Sequence, residues 1–154
     1  MISQAELKRL FRYDEETGLF YRRMRSGVYR LAGGERKNSY WRIAVKNKRY
    51  YAHRLAWFYV YGYWPDQIDH KDRNKINNAI SNLREATFTQ NNANRIVTGM
   101  VGLKGVSKRT ENCYSARITV NGKVIRLGHF KTPKEAHAAY VKAAEKYFGE
   151  FARP

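Results

Sequence analysis

The sequence predicts an α+β chain made of two small domains, on three observations. An alternating stretch, YWRIAV then RYYA, runs into HRLAWFYVY, where apolar and aromatic residues recur at helical spacing. Later, alternating runs flank Asn121-Gly122, a strong two-residue hairpin signal, and lead to a helix opened by Thr132 and Pro133. Between these parts lies RIVTGMVGLKG, with three glycines and little periodicity. The expected division is a first domain over 1–97, a linker over 98–104 and a second domain over 105–154.

Composition narrows the class. The chain has 154 residues, 43% of them hydrophobic, and 30 Lys and Arg against 13 Asp and Glu give a net charge of +17. Both halves share the basic excess, which suits a polyanionic partner held along both. No apolar run approaches the roughly 18 residues that a membrane span needs. The N-terminal MISQAELKRLFRYDEE has no apolar signal-type core and Cys113 is the only cysteine, so a cytoplasmic location without disulfides is expected.

Taken in order, Ser3 and Glu6 form a capping box for a helix from Gln4 to about Phe11, with Leu7, Leu10 and Phe11 on one face. After the turn ending at Gly18, LFYRRM reads as a half-buried strand, and Arg25 to Ser39 as a turn-rich excursion without legible function. In the hairpin of Tyr40 to Ala52, Trp41, Ile43 and Val45 face the core, while Arg42, Lys46, Lys48 and Arg49 occupy the other face or the tip as expected DNA contacts. The core helix runs from His53 to about Tyr61 and is closed by Gly62 and Pro65. His53, at its start, is either an auxiliary ligand or acid/base group, or a histidine packed at a helix end.

The stretch IDHKDRNKINNAISNLREATFTQNNAN, Ile68 to Asn94, carries the chemistry. A strand over Gln67–Lys71 puts Asp69 and His70 on opposite faces, a loop with Asp72 and Asn74 follows, and a return strand spans about Leu83 to Ala86. Thr87 then caps a helix through Gln90 and Asn91. One carboxylate, one imidazole and several amides are the groups needed to hold a hard metal ion beside a general base. Asn94 and Arg95 extend the helix face and suit DNA phosphates or a polar helix end.

HRLAW, IDH, NNAISNL and QNNAN, in that order, resemble the HNH endonucleases of phage and intron origin, the homing-type branch of the ββα-metal nucleases. The resemblance implies His70 as general base, Asn82 as the residue that orients it, and Asp69 and Asn91 as metal ligands. Physically, a neutral His70 can take a proton from water, and Asn82 can accept its Nδ1 proton. Asp69 and Asn91 offer oxygen ligands to Mg²⁺ or Mn²⁺, completed by waters and phosphate oxygens.

The remainder contains three strands, near 105–109, 114–120 and 123–130, and a helix whose buried face is Ala136, Ala139, Tyr140, Ala143, Ala144 and Tyr147. GVSKR, YSARI, RLGHF, EAHAAYVKAA and GEFARP together resemble the APETALA2-type DNA-binding domain. That resemblance implies a three-stranded antiparallel sheet packed on one helix and laid in the major groove. Lys108, Arg109, Arg117 and Arg126 are its exposed positions, with Lys104 and Lys123 at the edges, for phosphate or guanine contact.

The reading is thus a ββα-metal HNH domain followed by a small sheet-and-helix DNA-binding module: a divalent-metal endonuclease for double-stranded DNA in a bacterial or phage-infected cell. A double-strand break calls for a homodimer on DNA or two successive nicks. The competing class is a non-catalytic sequence-specific DNA-binding regulator.

Overall fold

The computed structural model describes residues 2–34, 39–94 and 102–152. By compactness the chain forms two units, Met1–Glu85 and Ala86–Pro154, a division ahead of the one expected at Val97.

The first unit opens with helix α1, Gln4–Leu10, whose N-terminus is capped by the Ser3 hydroxyl accepting from the Glu6 amide at 3.2 Å. Strands β1 (Phe11–Tyr13), β2 (Phe20–Arg23) and β3 (Tyr29–Leu31) form an antiparallel sheet in that order. Only β2 was legible in the sequence, because three-residue strands are too short to show a period. The hairpin of β4 (Arg42–Val45) and β5 (Lys48–Tyr51) turns through Lys46 and Asn47, both left-handed at φ 45° and 62°. Such a two-residue turn matches the twist of its strands.

Helix α2, Ala52–Tyr61, ends as expected at Gly62, at φ 80°. Leu7, Phe11, Phe20, Ile43 and Leu55 are the most deeply buried side chains and join α1, the three-stranded sheet, the hairpin and α2 into one core. Each contributes about 1.5–3 kcal/mol through burial. Trp41 is half-buried and donates its indole N–H to the Ala32 carbonyl at 3.0 Å. Strands β6 (Ile68–His70) and β7 (Leu83–Glu85) make the second hairpin, with Asp69 opposite Arg84 and His70 opposite Leu83.

The second unit begins with helix α3, Phe88–Ala93, fixed by a complete Thr87–Gln90 capping box. Strands β8 (Val106–Thr110), β9 (Cys113–Val120) and β10 (Lys123–Phe130) form an antiparallel sheet with β9 central, packed on helix α4, Pro133–Phe148. Ala136, Tyr140, Ala143, Ala144 and Phe148 are the buried face of α4. Tyr147, expected among them, is instead 42% exposed, the next position, Phe148, taking the inward direction.

Ala86 and Ala93 lie in this same core with Ile118, Tyr140 and Phe151, which is why the compact unit starts at Ala86. Mixed α+β architecture, with a three-stranded antiparallel sheet on a long helix, is therefore the fold. Among the described residues no helix is long and apolar enough to cross a membrane.

Gly105 fixes the start of β8. It sits at φ 74°, and a Cβ there would meet Tyr140 Cδ2 at 2.0 Å and the Arg117 carbonyl oxygen at 2.8 Å. Gly105→Ala should therefore cost about 2–4 kcal/mol, combining left-handed strain with overpacking. A lower thermal midpoint measures it; an unchanged midpoint would show that the ring can swing aside.

Candidate active site

The second hairpin is built so that its first strand ends in functional side chains. Ile68, Asp69 and His70 are all buried, so both faces of β6 are covered. Asp69 is 4% exposed and faces Arg84 across the hairpin, with Nε at 2.9 Å and Nη2 at 2.8 Å from the same carboxylate oxygen, Oδ2. A buried carboxylate needs such a partner, since desolvation of a lone charge costs several kcal/mol.

The loop after His70 is organised by amides around Asp72. Its Oδ1 accepts from the Asn74 amide at 2.8 Å and from Asn82 Nδ2 at 2.9 Å, and its Oδ2 accepts from Asn77 Nδ2 at 2.7 Å. Burial alone would raise the pKa of Asp72, but these bonds outweigh it and hold the carboxyl below its ordinary range. Asn82 also donates to the Asn77 carbonyl at 2.8 Å and accepts from the Asp72 amide at 3.1 Å.

This corrects the role expected for Asn82. Its side chain holds the loop that follows the histidine, not the imidazole itself, because both ends of its amide are engaged by Asp72 and Asn77.

The amide beside the imidazole is Asn78, which the sequence reading did not single out. It is 2% exposed, and its Oδ1 lies 3.4 Å from His70 Nε2. Its Nδ2 donates to the Ile76 carbonyl at 2.9 Å, so the oxygen is the end turned to the ring. The tautomer with its proton on Nε2 would donate to this oxygen and carry the lone pair on Nδ1. The Asn78 carbonyl in turn accepts from the Tyr13 hydroxyl at 2.7 Å, anchoring the loop to β1. The signal was present in NNAISNL, where two asparagines precede the one chosen.

Aromatic rings enclose the histidine. His53 lies edge-on to it at 5.1 Å between centroids, Tyr40 is 5.9 Å away, and Tyr40 and Tyr51 pack on His53 at 4.9 and 5.6 Å. Burial lowers the pKa of His70, opposed by the Asn78 bond and the carboxylates of Asp72 and Asp69. His53 is pushed down to about 3, first by burial and then by the charges of His70 and Arg54. Both imidazoles are thus neutral near pH 7.

A stability prediction follows for His53. Between its ordinary value of about 6.5 and the folded value of about 3, the unfolded chain binds a proton that the folded chain excludes. Stability then falls as pH drops, by about 1.4 kcal/mol per pH unit for this one group. Urea unfolding at pH 7 and pH 5 should show a loss about 2 kcal/mol smaller in His53→Gln than in the native protein. Equal losses would mean that His53 takes up its proton in the folded state.

The other expected contacts separate into groups. Arg42, Lys48 and Arg49 are exposed on the first hairpin, whereas Lys46, also exposed, forms an ion pair with Glu6. Lys108, Arg109, Arg117, Lys123 and Arg126 are exposed on the second unit's sheet. Arg117 and Arg126 stand directly opposite each other, a like-charge pairing that disfavours the sheet until an anion bridges it. Lys104 donates its ammonium to the Ala93 carbonyl at the end of α3, a capping contact in place of an edge position on the sheet.

Asn94 corrects another expectation: at 3% exposed it is the buried residue that caps the C-terminus of α3 and does not offer its side chain to phosphates at the surface. Arg95 lies outside the described residues. Asn91 lies half-buried on α3 in the second unit, and Asp69 and His70 lie in the first.

As donors to a metal, the Asp69 carboxylate and the Asn91 amide oxygen are both hard oxygen ligands, the type that Mg²⁺ and Mn²⁺ take. Among the described residues no group of three His, Cys, Asp or Glu could cage an ion. Taken singly, each oxygen suits a hard cation that keeps water among its ligands.

Residues 50–93 match the HNH endonuclease family, a segment running from β5 through the His70 hairpin to the end of α3. The chain is also similar to an uncharacterized HNH endonuclease of Acanthamoeba polyphaga mimivirus, 42% identical over 87 residues. That match covers 56% of this chain and 46% of the viral protein, so the chain spans under half the length of its relative.

Proposed function

We propose, from the premise that residues 50–93 are an HNH endonuclease domain, that this chain is a metal-dependent endonuclease of the homing type acting on double-stranded DNA. The observation that carries the proposal is the His70 imidazole: buried, its pKa pushed below the ordinary histidine value by that burial, and set with Nε2 beside an amide oxygen that the loop fixes in place.

In the proposed reaction His70 Nδ1 takes a proton from a water, and that water attacks the scissile phosphorus. Asn78 accepts the Nε2 proton and stabilises the imidazolium that results, while Asn82 keeps the loop closed around both. Asp69 and Asn91 would hold the cation, with Arg84 fixing the carboxylate through Oδ2. When bound, a divalent cation supplies Lewis-acid stabilisation of charge on the phosphate and on the leaving oxygen. The products would be 3′-hydroxyl and 5′-phosphate ends.

The second unit is proposed to be an APETALA2-type DNA-binding module. Arg109, Arg117 and Arg126 line a shallow cavity with Ser115, Gly128 and His129, and no carboxylate lies among its lining residues. A homodimer, or two successive nicks, would complete a double-strand break.

The test is relaxation of supercoiled plasmid with Mg²⁺, with Mn²⁺, and with EDTA. Cutting that requires the metal supports the reading. Tight duplex binding with no cutting under any metal, on substrates that include the natural target, would assign the protein to DNA-binding regulators instead.

A further inference from the structure

β2, β3 and residues 32–34, in a stretch without legible function in the sequence, form one wall of a cleft in the first unit. β2 and β3 contribute Arg22 and Arg30, and the β4–β5 hairpin contributes Arg42 and Arg49, around a cavity of about 540 Å³. The two walls are tied together by a backbone bridge between Gly34 and Arg42, so the cleft is part of the folded unit. A Cβ on Gly33 would meet the Arg42 carbonyl oxygen at 2.5 Å, which keeps the walls at backbone distance.

The charge arrangement is one-sided. Among the described residues no carboxylate lines the cleft and none of the four guanidiniums forms an ion pair. Arg22 and Arg30 are direct cross-strand partners, an arrangement that like charges disfavour unless an anion sits between them. Arg42 is braced against Tyr51, with its guanidinium 4.9 Å from the ring centroid. Arg22 is braced by the Ala44 carbonyl and the Phe11 ring. Forked guanidiniums held at fixed positions suit phosphate oxygens.

The remaining lining says which anion. Leu31, Met24, Ala32 and Ala44 give the cleft apolar surface between the charges, and its volume is far beyond one phosphate. A chain of phosphates separated by sugars satisfies both features, whereas a small free anion leaves most of the cleft unfilled. At one end Tyr40 lines the cleft and also packs at 5.9 Å from the His70 ring.

We propose that this arginine cleft is a second DNA contact, which binds the phosphate backbone on one flank of the cut and leads it past Tyr40 to His70. The idea rests on the endonuclease reading only for the identity of the polyanion as DNA.

Its test measures binding, not cutting. In the His70→Ala protein, the affinity for a mixed-sequence DNA duplex is titrated across a salt series, with and without Arg30→Gln/Arg49→Gln. Neither side chain makes a hydrogen bond or ion pair among the described residues, and an unchanged thermal midpoint checks the fold. Losing two phosphate contacts lowers the slope of log affinity against log salt by about 1.8.

An unchanged slope would overturn the proposal, as would an equal drop in Lys142→Gln/Lys146→Gln, which removes the same charge from the exposed side of α4. The two readings fail separately. Plasmid left uncut by the native protein with a lowered slope in the arginine variant removes the nuclease and keeps the cleft. Cutting with an unchanged slope does the reverse.

Discussion

His70→Ala should lower the rate of DNA cleavage by about 10²–10⁴-fold while leaving duplex affinity within a factor of about two. The size follows from losing the proposed general base, and the selectivity follows from the position of His70. It is buried at the end of β6 among Tyr40, His53 and Asn78, and it adds no net charge to the DNA-facing surface near neutral pH.

A pH series on the native enzyme adds a second readout. Because the base must be neutral, activity is lost as pH falls through the pKa of His70, and burial has moved that pKa below the ordinary histidine value. The acid limb should lie correspondingly low. Equal cleavage by mutant and native proteins would remove His70 from the reaction. A limb above the ordinary histidine value would mean that its carboxylate neighbours outweigh burial.

Asp69→Ala should be costly in two separable ways. Removing the carboxylate leaves the Arg84 guanidinium buried without its counter-charge, which costs about 3–5 kcal/mol in stability. It also removes the proposed oxygen ligand, so cleavage should fall below detection. The double variant Asp69→Ala/Arg84→Leu separates these effects, since taking away both charges replaces a broken ion pair with apolar contact. Chemical denaturation should show most of the lost stability restored, while plasmid relaxation stays absent. A stable double variant that cuts DNA would reduce Asp69 to an ion-pair partner of Arg84 and end its candidacy as a metal ligand.

The larger elements were legible because each carried its own signal. The N-caps at Thr87 and Thr132, the turn at Asn121-Gly122 and the left-handed glycine after α2 are short-range features that need no distant partner; of the capping box expected at Ser3 and Glu6, the Ser3 half is present. β1 and β3 were not legible, being too short to show a period and dependent on pairing with β2.

At the site, the residue types were legible but their partners were not. Asn82 and Asn78 look alike in sequence, and only the closing of the loop on Asp72 and Ile76 decides which amide meets the imidazole. In the same way nothing in IDH reveals that its aspartate is paired with an arginine fifteen residues later, because that pairing belongs to hairpin register. The burial of Asn94 is another such case: a polar helix end reads as surface until its packing is known.

Helix α3 bears on how such a protein could be shuffled. The HNH match runs to residue 93, yet Ala86 and Ala93 are folded into the core of the second unit, and Lys104, near the end of the glycine-rich stretch, caps the helix. A six-residue helix does not persist in water without such packing. Recombination at that stretch, the obvious seam for grafting a new targeting module, would strip α3 of its support; an inherited exchange has to carry the helix along with the module or redesign the surface beneath it.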